Sequence, residues 1–293
     1  MTQAHVRRLL YSTLACALSA AITASPAPAR STPQPAVNEI ATQTADQQAQ
    51  SLARAAADGT LARLSDDELV ALFRALDLAT LPRYLRDGLV RYASCEFTIL
   101  RRERIGGKWP KRPDHMLVRV TREPLRIYAR WLPDGAHAGQ EVIYDESKRP
   151  DELYGHAGGL LGVVPMWTSL NGPLARAQSN HSIRELGIDA VTQRFIDEGK
   201  KFADAGITQP SDIAVATVNG VRVVALTYVA PAGQPDFYAK REVIDLDLEA
   251  PLIRAVESFD NEGTVFESVV FEHIEPKPFD GLTFDPRNPD YRF

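Results

Sequence analysis

The spacing of apolar residues changes along the chain and predicts helices first and strands afterwards. Ser65-Asp66-Asp67-Glu68 has the form of a capping box, in which a serine and a glutamate satisfy the first free amides of a helix. Four apolar residues follow it at helical spacing: Leu69, Leu72, Phe73 and Leu76. Weaker helical patterns cover Asp46–Ala57 and Leu81–Leu89. The pattern therefore predicts a helical region before residue 91.

After Arg91 the apolar period becomes two, which indicates β-strands. Met116, Val118 and Val120 share one face of a predicted strand, and Leu125–Trp131 alternates in the same way. Further along, Asn219-Gly220 separates two apolar runs and predicts a hairpin with a type I′ turn. Strands of this kind are predicted to continue as a meander to about residue 274.

One helix interrupts the strands. Ser182-Ile183-Arg184-Glu185 is a second capping box, and it predicts a helix that starts at Ser182 and stops near Gly206. Its inner face is predicted to carry Ile188, Val191 and Phe195.

This order of elements predicts an α+β fold with an antiparallel sheet, because a parallel sheet needs helices alternating with strands. Several strands, notably Val221–Val229, carry apolar residues on both faces. A sheet with one face in water would not do so. We therefore expect helices to cover one face, while the other lines a core or a hollow.

The N-terminus has the pattern of an export signal. Arg7 and Arg8 precede the apolar run Leu9–Ile22, and Ala27-Pro28-Ala29 offers an A-x-A cleavage site. The run of about 14 residues is shorter than the roughly 20 that cross a bilayer. Residues 1–29 are therefore predicted to be a signal peptide that is removed on export to the periplasm.

Lipid attachment at Cys16 is the less favoured alternative. An outer-membrane lipoprotein signal has a large aliphatic residue three positions before its cysteine, and Thr13 stands there instead. After the signal, residues 30–60 are predicted to be flexible or weakly helical. Residues 61–293 are predicted to form a single domain, because no Ser/Gly linker or run of charge divides them.

The charge of the chain argues against nucleic acid as a partner. The formal net charge is −5, and removal of Arg7 and Arg8 with the signal would make it −7. Nucleic-acid binding needs a basic face instead. Cleavage would also leave Cys95 alone, so we expect no intramolecular disulfide and a core that supplies the stability.

The residue types that carry chemistry are scattered. None of five histidines after the signal stands three or four residues from another: His115, His137, His156, His181 and His273. The glycines around Gly158-Gly159 match neither phosphate-loop pattern, and there is no G-x-S-x-G. We therefore predict no catalytic site, no metal site and no cofactor.

The passage Gly155–Gly172 combines glycines at its ends with an apolar middle, which is unusual for a surface loop. We predict that it is a mobile flap over a cavity mouth; the alternative is a fixed loop packed on the helix from Ser182. Together with inward-facing strand residues it supplies the predicted ligand contacts: Met116, Val118, Tyr128, Trp131, Val163, Val164, Met166 and Trp167.

The chain from Tyr92 to Phe293 resembles the bacterial envelope family known as domain of unknown function 1571. The most specific pieces are Pro124–Leu132, Gly158-Gly159, Asn171–Ala175, Ser182–Gly187, Phe284–Pro286 and Tyr291–Phe293. That family is similar in predicted architecture to LolA-like lipoprotein carriers. The resemblance implies a strongly curved antiparallel sheet, an incomplete β-barrel, with helices covering the open side and a hollow for acyl chains.

The expected function is therefore periplasmic, non-enzymatic binding or carriage of a lipid or other hydrophobic ligand. The alternative is an envelope scaffold or assembly factor that binds a protein partner through its sheet, with the interior filled by side chains. An interior cavity above about 300 Å³ would favour ligand binding, whereas a packed interior would favour the scaffold.

Overall fold

The computed structural model describes residues 39–159, 164–234 and 236–293. The predicted signal peptide, Cys16 and Val163 lie outside this range. The helices that bear on the fold are α1 (Ala45–Ala57), α2 (Thr60–Arg63), α3 (Asp66–Arg74), α4 (Thr80–Leu89), α5 (Pro173–Arg176) and α6 (Ile188–Asp204). Within the described residues, no helix is both long enough and apolar enough to span a membrane.

The strands alternate with short connections after residue 93. They are β1 (Ser94–Glu103), β2 (Asp114–Arg122), β3 (Leu125–Trp131), β4 (Glu141–Asp145), β5 (Glu152–His156), β6 (Met166–Ser169), β7 (Asp212–Val218), β8 (Val221–Val229), β9 (Arg241–Asp247), β10 (Ile253–Phe259) and β11 (Val265–Pro276). All form one sheet in the order β6-β5-β4-β3-β2-β1-β11-β10-β9-β8-β7, and every neighbouring pair is antiparallel. The predicted α+β class is confirmed.

The sheet is not closed. In the described residues β6 and β7 lie at its two ends and pair only with β5 and β8. Helices contact one face of it at well-separated places: α3 meets β7, α6 meets β10, and a 3₁₀ turn at Ile183–Glu185 meets β3. We call the side that the helices cover the inner face. A single apolar core lies there and extends from Tyr144 on β4 to Ile213 on β7.

The C-terminal tail covers part of the outer face. Tyr291 stacks on Tyr128 of β3, with ring centroids 4.0 Å apart and planes 7° apart. Phe284 and Ile143 complete this small second core. Strand β3 is consequently covered on both faces, by the inner core and by the tail, which explains why it can carry apolar residues on both.

Several sequence predictions of local structure are confirmed. Helix α3 begins at the capping box of Ser65 and Glu68, and Asn219 and Gly220 both have positive φ, as a type I′ turn requires. The helix expected from Ser182 begins later. Its capping box is present but closes only the 3₁₀ turn Ile183–Glu185, and α6 starts after Gly187.

Two further expectations need correction. Helix α1 was expected to belong to a flexible or weakly helical segment ending at residue 60, but its Leu52 is fully buried and α1 packs on α4. The packed unit therefore includes residues before 61. The predicted flap is also partly strand, because residues of β6 pair with β5 inside the passage Gly155–Gly172.

Candidate ligand cavities

One cavity lies between the helices and the far end of the sheet, and we call it cavity A. It has a volume of about 600 Å³. Its walls come from the α3–α4 connection, α4, α6 and the loop after α6, and its floor from Tyr228 on β8 and Glu242 on β9. The apolar side chains that line it are Phe73, Leu76, Leu78, Leu81, Phe195, Ile196 and Phe202.

Cavity A is a space that the side chains of α4, α6 and the sheet around it leave unfilled. At Gly199, on the side of α6 that borders the cavity, a methyl group added to the backbone would meet no atom within 4 Å. The mouth carries mixed charge, since Arg83 pairs with Asp46 and Lys200 with Asp197. The cavity is therefore apolar within and has no strong net charge at its rim.

A second cavity, cavity B, lies on the inner face of β2–β6 and has a volume of about 300 Å³. Helix α5 and the 3₁₀ turn close it from the helical side. Its apolar lining is Met116, Trp131, Val142, Leu153, Val164, Met166, Leu174, Ile183 and Leu186. Gln140 and Arg101 add polar groups to the wall. Val164, Met166 and Leu174 are also exposed to solvent, so they form its mouth.

The structure brings four of the eight predicted contact residues together. Met116, Trp131, Val164 and Met166 all line cavity B. Val118 lies on the same inner face, but it is packed in the core and does not reach the cavity.

Tyr128 and Trp167 require a correction, because both lie on the outer face. Tyr128 stacks on the C-terminal tail. Trp167 pairs with Tyr154 across β5 and β6, and the Arg149 guanidinium lies 4.1 Å from the centre of its ring. Side chains alternate between the faces of a strand, so Met166 and Trp167 cannot both face one cavity. The glycine-rich sequence predicts a loop here, and a loop does not impose this alternation.

Charged side chains separate the two cavities. They project from the inner face of β1 and β11, the middle strands of the sheet, and from α6 and the segment before it. Arg101, Glu103, His181, Arg194 and Glu267 make up this charged partition. A pocket of about 60 Å³ remains beside it and is lined by four of these residues, Glu103 excepted.

Glu267 is the centre of the partition. It is 3% exposed, and it faces Glu103 directly across the β1–β11 pair. Its carboxylate forms an ion pair with His181 Nε2 at 2.9 Å and accepts hydrogen bonds from Tyr238 Oη at 2.6 Å and Arg194 Nη1 at 3.4 Å. Two like charges on facing strands would repel, so these donors, together with Arg101 beside Glu103, are what make the arrangement stable.

Hydrogen bonding decides the protonation of the partition. Burial alone would raise the pKa of Glu267, but the His181 hydrogen bond and the Arg194 charge outweigh it and lower that pKa to about 2. Burial would likewise lower the pKa of His181, but hydrogen bonds to Glu185 and Glu267 raise it to about 9. At neutral pH the pair is therefore imidazolium and carboxylate.

This protonation predicts how stability depends on pH. Because the folded-state pKa of His181 is raised, its contribution is complete below about pH 6.5 and is lost as the pH rises through 9. We expect the free energy of unfolding to fall by up to about 3 kcal/mol between pH 6 and pH 9. Urea denaturation at both pH values would measure it. The variant His181→Gln should show a much smaller difference, and an equal difference in both proteins would contradict the assignment.

The partition is not arranged for nucleophilic catalysis. The protonated His181 donates from Nδ1 to Glu185 and from Nε2 to the Tyr238 hydroxyl, so it has no free lone pair with which to act as a base. The nearby Ser179 hydroxyl donates to Glu103 instead, at 2.9 Å. Among the described residues, no group of three or more His, Cys, Asp and Glu is placed to hold a metal ion.

Comparison with protein families gives a match over residues 92–293 to the model described as "Protein of unknown function (DUF1571)". The chain belongs to the DUF1571 family. The predicted family and the predicted extent of the resemblance, Tyr92 to Phe293, are both confirmed. A comparison with curated protein sequences gives no match.

Solved structures similar to this DUF1571 chain are distant. One is an uncharacterized conserved protein from Thermus thermophilus, 8% identical over 71% of this chain and 94% of that one, with a TM-score of 0.40. A putative outer membrane lipoprotein-sorting protein domain from Vibrio parahaemolyticus is 11% identical over 69% and 95%, with a TM-score of 0.31. The Mycobacterium tuberculosis lipoprotein LppX is 10% identical over 68% and 97%, with a TM-score of 0.35. At these scores the likenesses carry no argument about function.

Sequence reasoning missed the charged partition and cavity A of this DUF1571 protein. A signal for the partition was present, because Arg101 and Glu103 continue the inward-facing positions of Cys95, Phe97 and Ile99 along β1. Polar residues at strand positions that face the core need buried hydrogen-bond or ion-pair partners. The sequence contains no comparable signal for cavity A, because a cavity depends on how the helices and the sheet pack together.

Proposed function

We propose that this protein is a periplasmic, non-enzymatic binder or carrier of a lipid or other hydrophobic ligand. The observation that carries the proposal is cavity A, an apolar space of about 600 Å³ inside a folded domain. Cavities of 300–1,000 Å³ are typical of small-molecule sites. The periplasmic location rests on the predicted export signal, which lies outside the described residues.

A rough balance indicates how tightly such a ligand would bind. Ten buried methylene groups contribute about 8 kcal/mol, at about 0.8 kcal/mol each. Association itself costs at least about 4 kcal/mol. The remainder of about 4 kcal/mol corresponds to a Kd of about 1 mM. Carriage at lower ligand concentrations would therefore need a longer apolar ligand or additional polar contacts within the cavity.

Cavity B supports a second ligand compartment. We propose that Met116, Trp131, Val164 and Met166 contact ligand there. The charged partition blocks a continuous apolar path between the cavities, because a hydrocarbon chain crossing it would separate buried ion pairs. A long ligand would accordingly occupy one cavity or the other.

The presence of both cavities favours ligand binding over the scaffold alternative. A scaffold with its interior filled by side chains would leave neither space. The large ring of Tyr128, which could fill such an interior, lies on the outer face instead.

The proposal predicts saturable binding of a compact neutral dye. N-phenyl-1-naphthylamine fluoresces strongly in apolar surroundings, and titration of the purified mature protein should give one or two saturable sites per chain. A competing apolar ligand should displace the dye. Bovine serum albumin and a folded protein without cavities serve as positive and negative controls. Linear, unsaturable fluorescence equal to that of the negative control would contradict the proposal.

A further inference from the structure

Two polar groups lie side by side at the floor of cavity A, beneath its apolar walls. Tyr228 on β8 and Glu242 on β9 are direct cross-strand neighbours, and both line the cavity. Neighbouring positions on one face of an antiparallel pair lie about 5 Å apart, so their functional groups can meet one ligand atom.

The Tyr228 hydroxyl has no hydrogen-bond partner among residues 39–159, 164–234 and 236–293. Its ring is 9% exposed and packs between Phe195 and Phe202 of α6, at centroid distances of 6.1 and 5.3 Å. Burial raises the pKa of Tyr228, so the hydroxyl stays protonated and can donate. Because Tyr228 lines cavity A, water or a ligand in the cavity can accept a hydrogen bond from this hydroxyl.

Glu242 is only partly satisfied as well. It is 6% exposed, and the Ser258 hydroxyl donates to its Oε1 at 3.2 Å. A carboxyl group can form several hydrogen bonds, so capacity remains on the side that faces the cavity. Burial raises the pKa of Glu242, and the charge of Arg194 opposes this shift.

The charges in the lining are balanced. Arg83, Arg86 and Lys200 line cavity A together with Asp77, Glu198 and Glu242, and Glu198 is bound to Lys201 at 2.6 Å. The lining therefore favours neither an anionic nor a cationic ligand end. A neutral hydroxyl fits both free groups, because it can accept from Tyr228 and donate to Glu242 at once.

We propose that Tyr228 and Glu242 select an apolar ligand with a neutral hydroxyl at the end that enters cavity A. This inference rests on the proposed function and names the ligand class of the same site. The two contacts would supply the additional affinity that burial of a short apolar chain lacks. They would also orient the ligand, with its hydroxyl on the floor and its apolar body among the helices.

The test compares 1-naphthalenemethanol with 1-ethylnaphthalene, which have the same number of heavy atoms and differ by a hydroxyl in place of a methyl group. Each displaces N-phenyl-1-naphthylamine, and the ratio of the two dissociation constants measures selection for the hydroxyl. We expect Tyr228→Phe to reduce this selection about 5-fold, and Glu242→Leu to do the same. Glu242→Gln, which keeps hydrogen-bonding capacity, should retain most of it.

Thr227→Val is the matched control, because Thr227 lies beside Tyr228 on β8 but points to the outer face. Its ratio should equal that of the wild type. Should the dye bind but the ratio stay unchanged in both Tyr228→Phe and Glu242→Leu, the inference is wrong while the proposed function stands. Should the wild type fail to bind the dye at all, both are overturned. Circular dichroism of each variant separates loss of selection from loss of folding.

Discussion

Replacing Glu267 by Gln is expected to lower the free energy of unfolding by about 3 kcal/mol, because removal of one partner from a buried ion cluster leaves the others uncompensated. Glu267 forms an ion pair with His181 and accepts hydrogen bonds from Arg194 and Tyr238 in a site that water barely reaches. The glutamine side chain is neutral, so it would no longer compensate the positive charges of the His181 imidazolium and the Arg194 guanidinium. Urea denaturation at pH 6 measures the difference, since His181 is fully protonated there.

Glu257→Gln is the control for this variant. Glu257 lies opposite Ser268 of β11 on the neighbouring strand β10, and it is exposed on the outer face. A surface substitution of this kind should change stability by less than about 0.5 kcal/mol. Equal effects of the two substitutions would mean that the partition contributes nothing beyond ordinary surface charge.

Replacing Gly199 by Phe is expected to weaken dye binding at cavity A at least 10-fold. The site borders the cavity, and an added side chain there has open space before it. A phenyl ring would therefore occupy the volume that a ligand needs. Phenylalanine also favours a helix more than glycine does, by a few tenths of a kcal/mol, so α6 should not be destabilised. Fluorescence titration and urea denaturation measure the two effects separately.

Gly281→Phe is the matched control for Gly199→Phe. Gly281 also has open space around it, but it is exposed in the C-terminal tail and lies away from both cavities. Its dye affinity should equal that of the wild type. A similar loss of affinity in both variants would place the dye on the surface and not inside cavity A.

The fold class could be predicted because local pattern and tertiary structure agree over most of the chain. The change of period after Arg91 separates helices from strands, and Asn219-Gly220 fixes one hairpin. The start of α6 could not be predicted from its capping box alone. The box at Ser182 closes a 3₁₀ turn, and Gly187 lies between that turn and the helix. A box satisfies free amides without deciding how far the helix continues.

The candidate site was harder to predict, because a cavity depends on distances between elements. Met116 and Trp131 could be placed inward from the alternation of their strands, and both line cavity B. The side of the sheet on which Trp167 lies could not be predicted. The short strand β6 lies within a glycine-rich passage, and the sequence does not show which of its side chains face inward. Tyr228 has the same sequence pattern as a packed core residue. Only the position of α6 leaves its hydroxyl facing an open space.

The most direct test of the central claim is the content of the interior in protein purified from its native host. Native mass spectrometry of the wild type and of Gly199→Phe, followed by denaturing spectra of the same samples, would measure bound small molecules. We expect the wild type to carry a neutral hydrophobic molecule that is released on denaturation, and Gly199→Phe to carry much less of it. Wild-type protein recovered without any such molecule, or equal amounts in both proteins, would contradict ligand binding in cavity A.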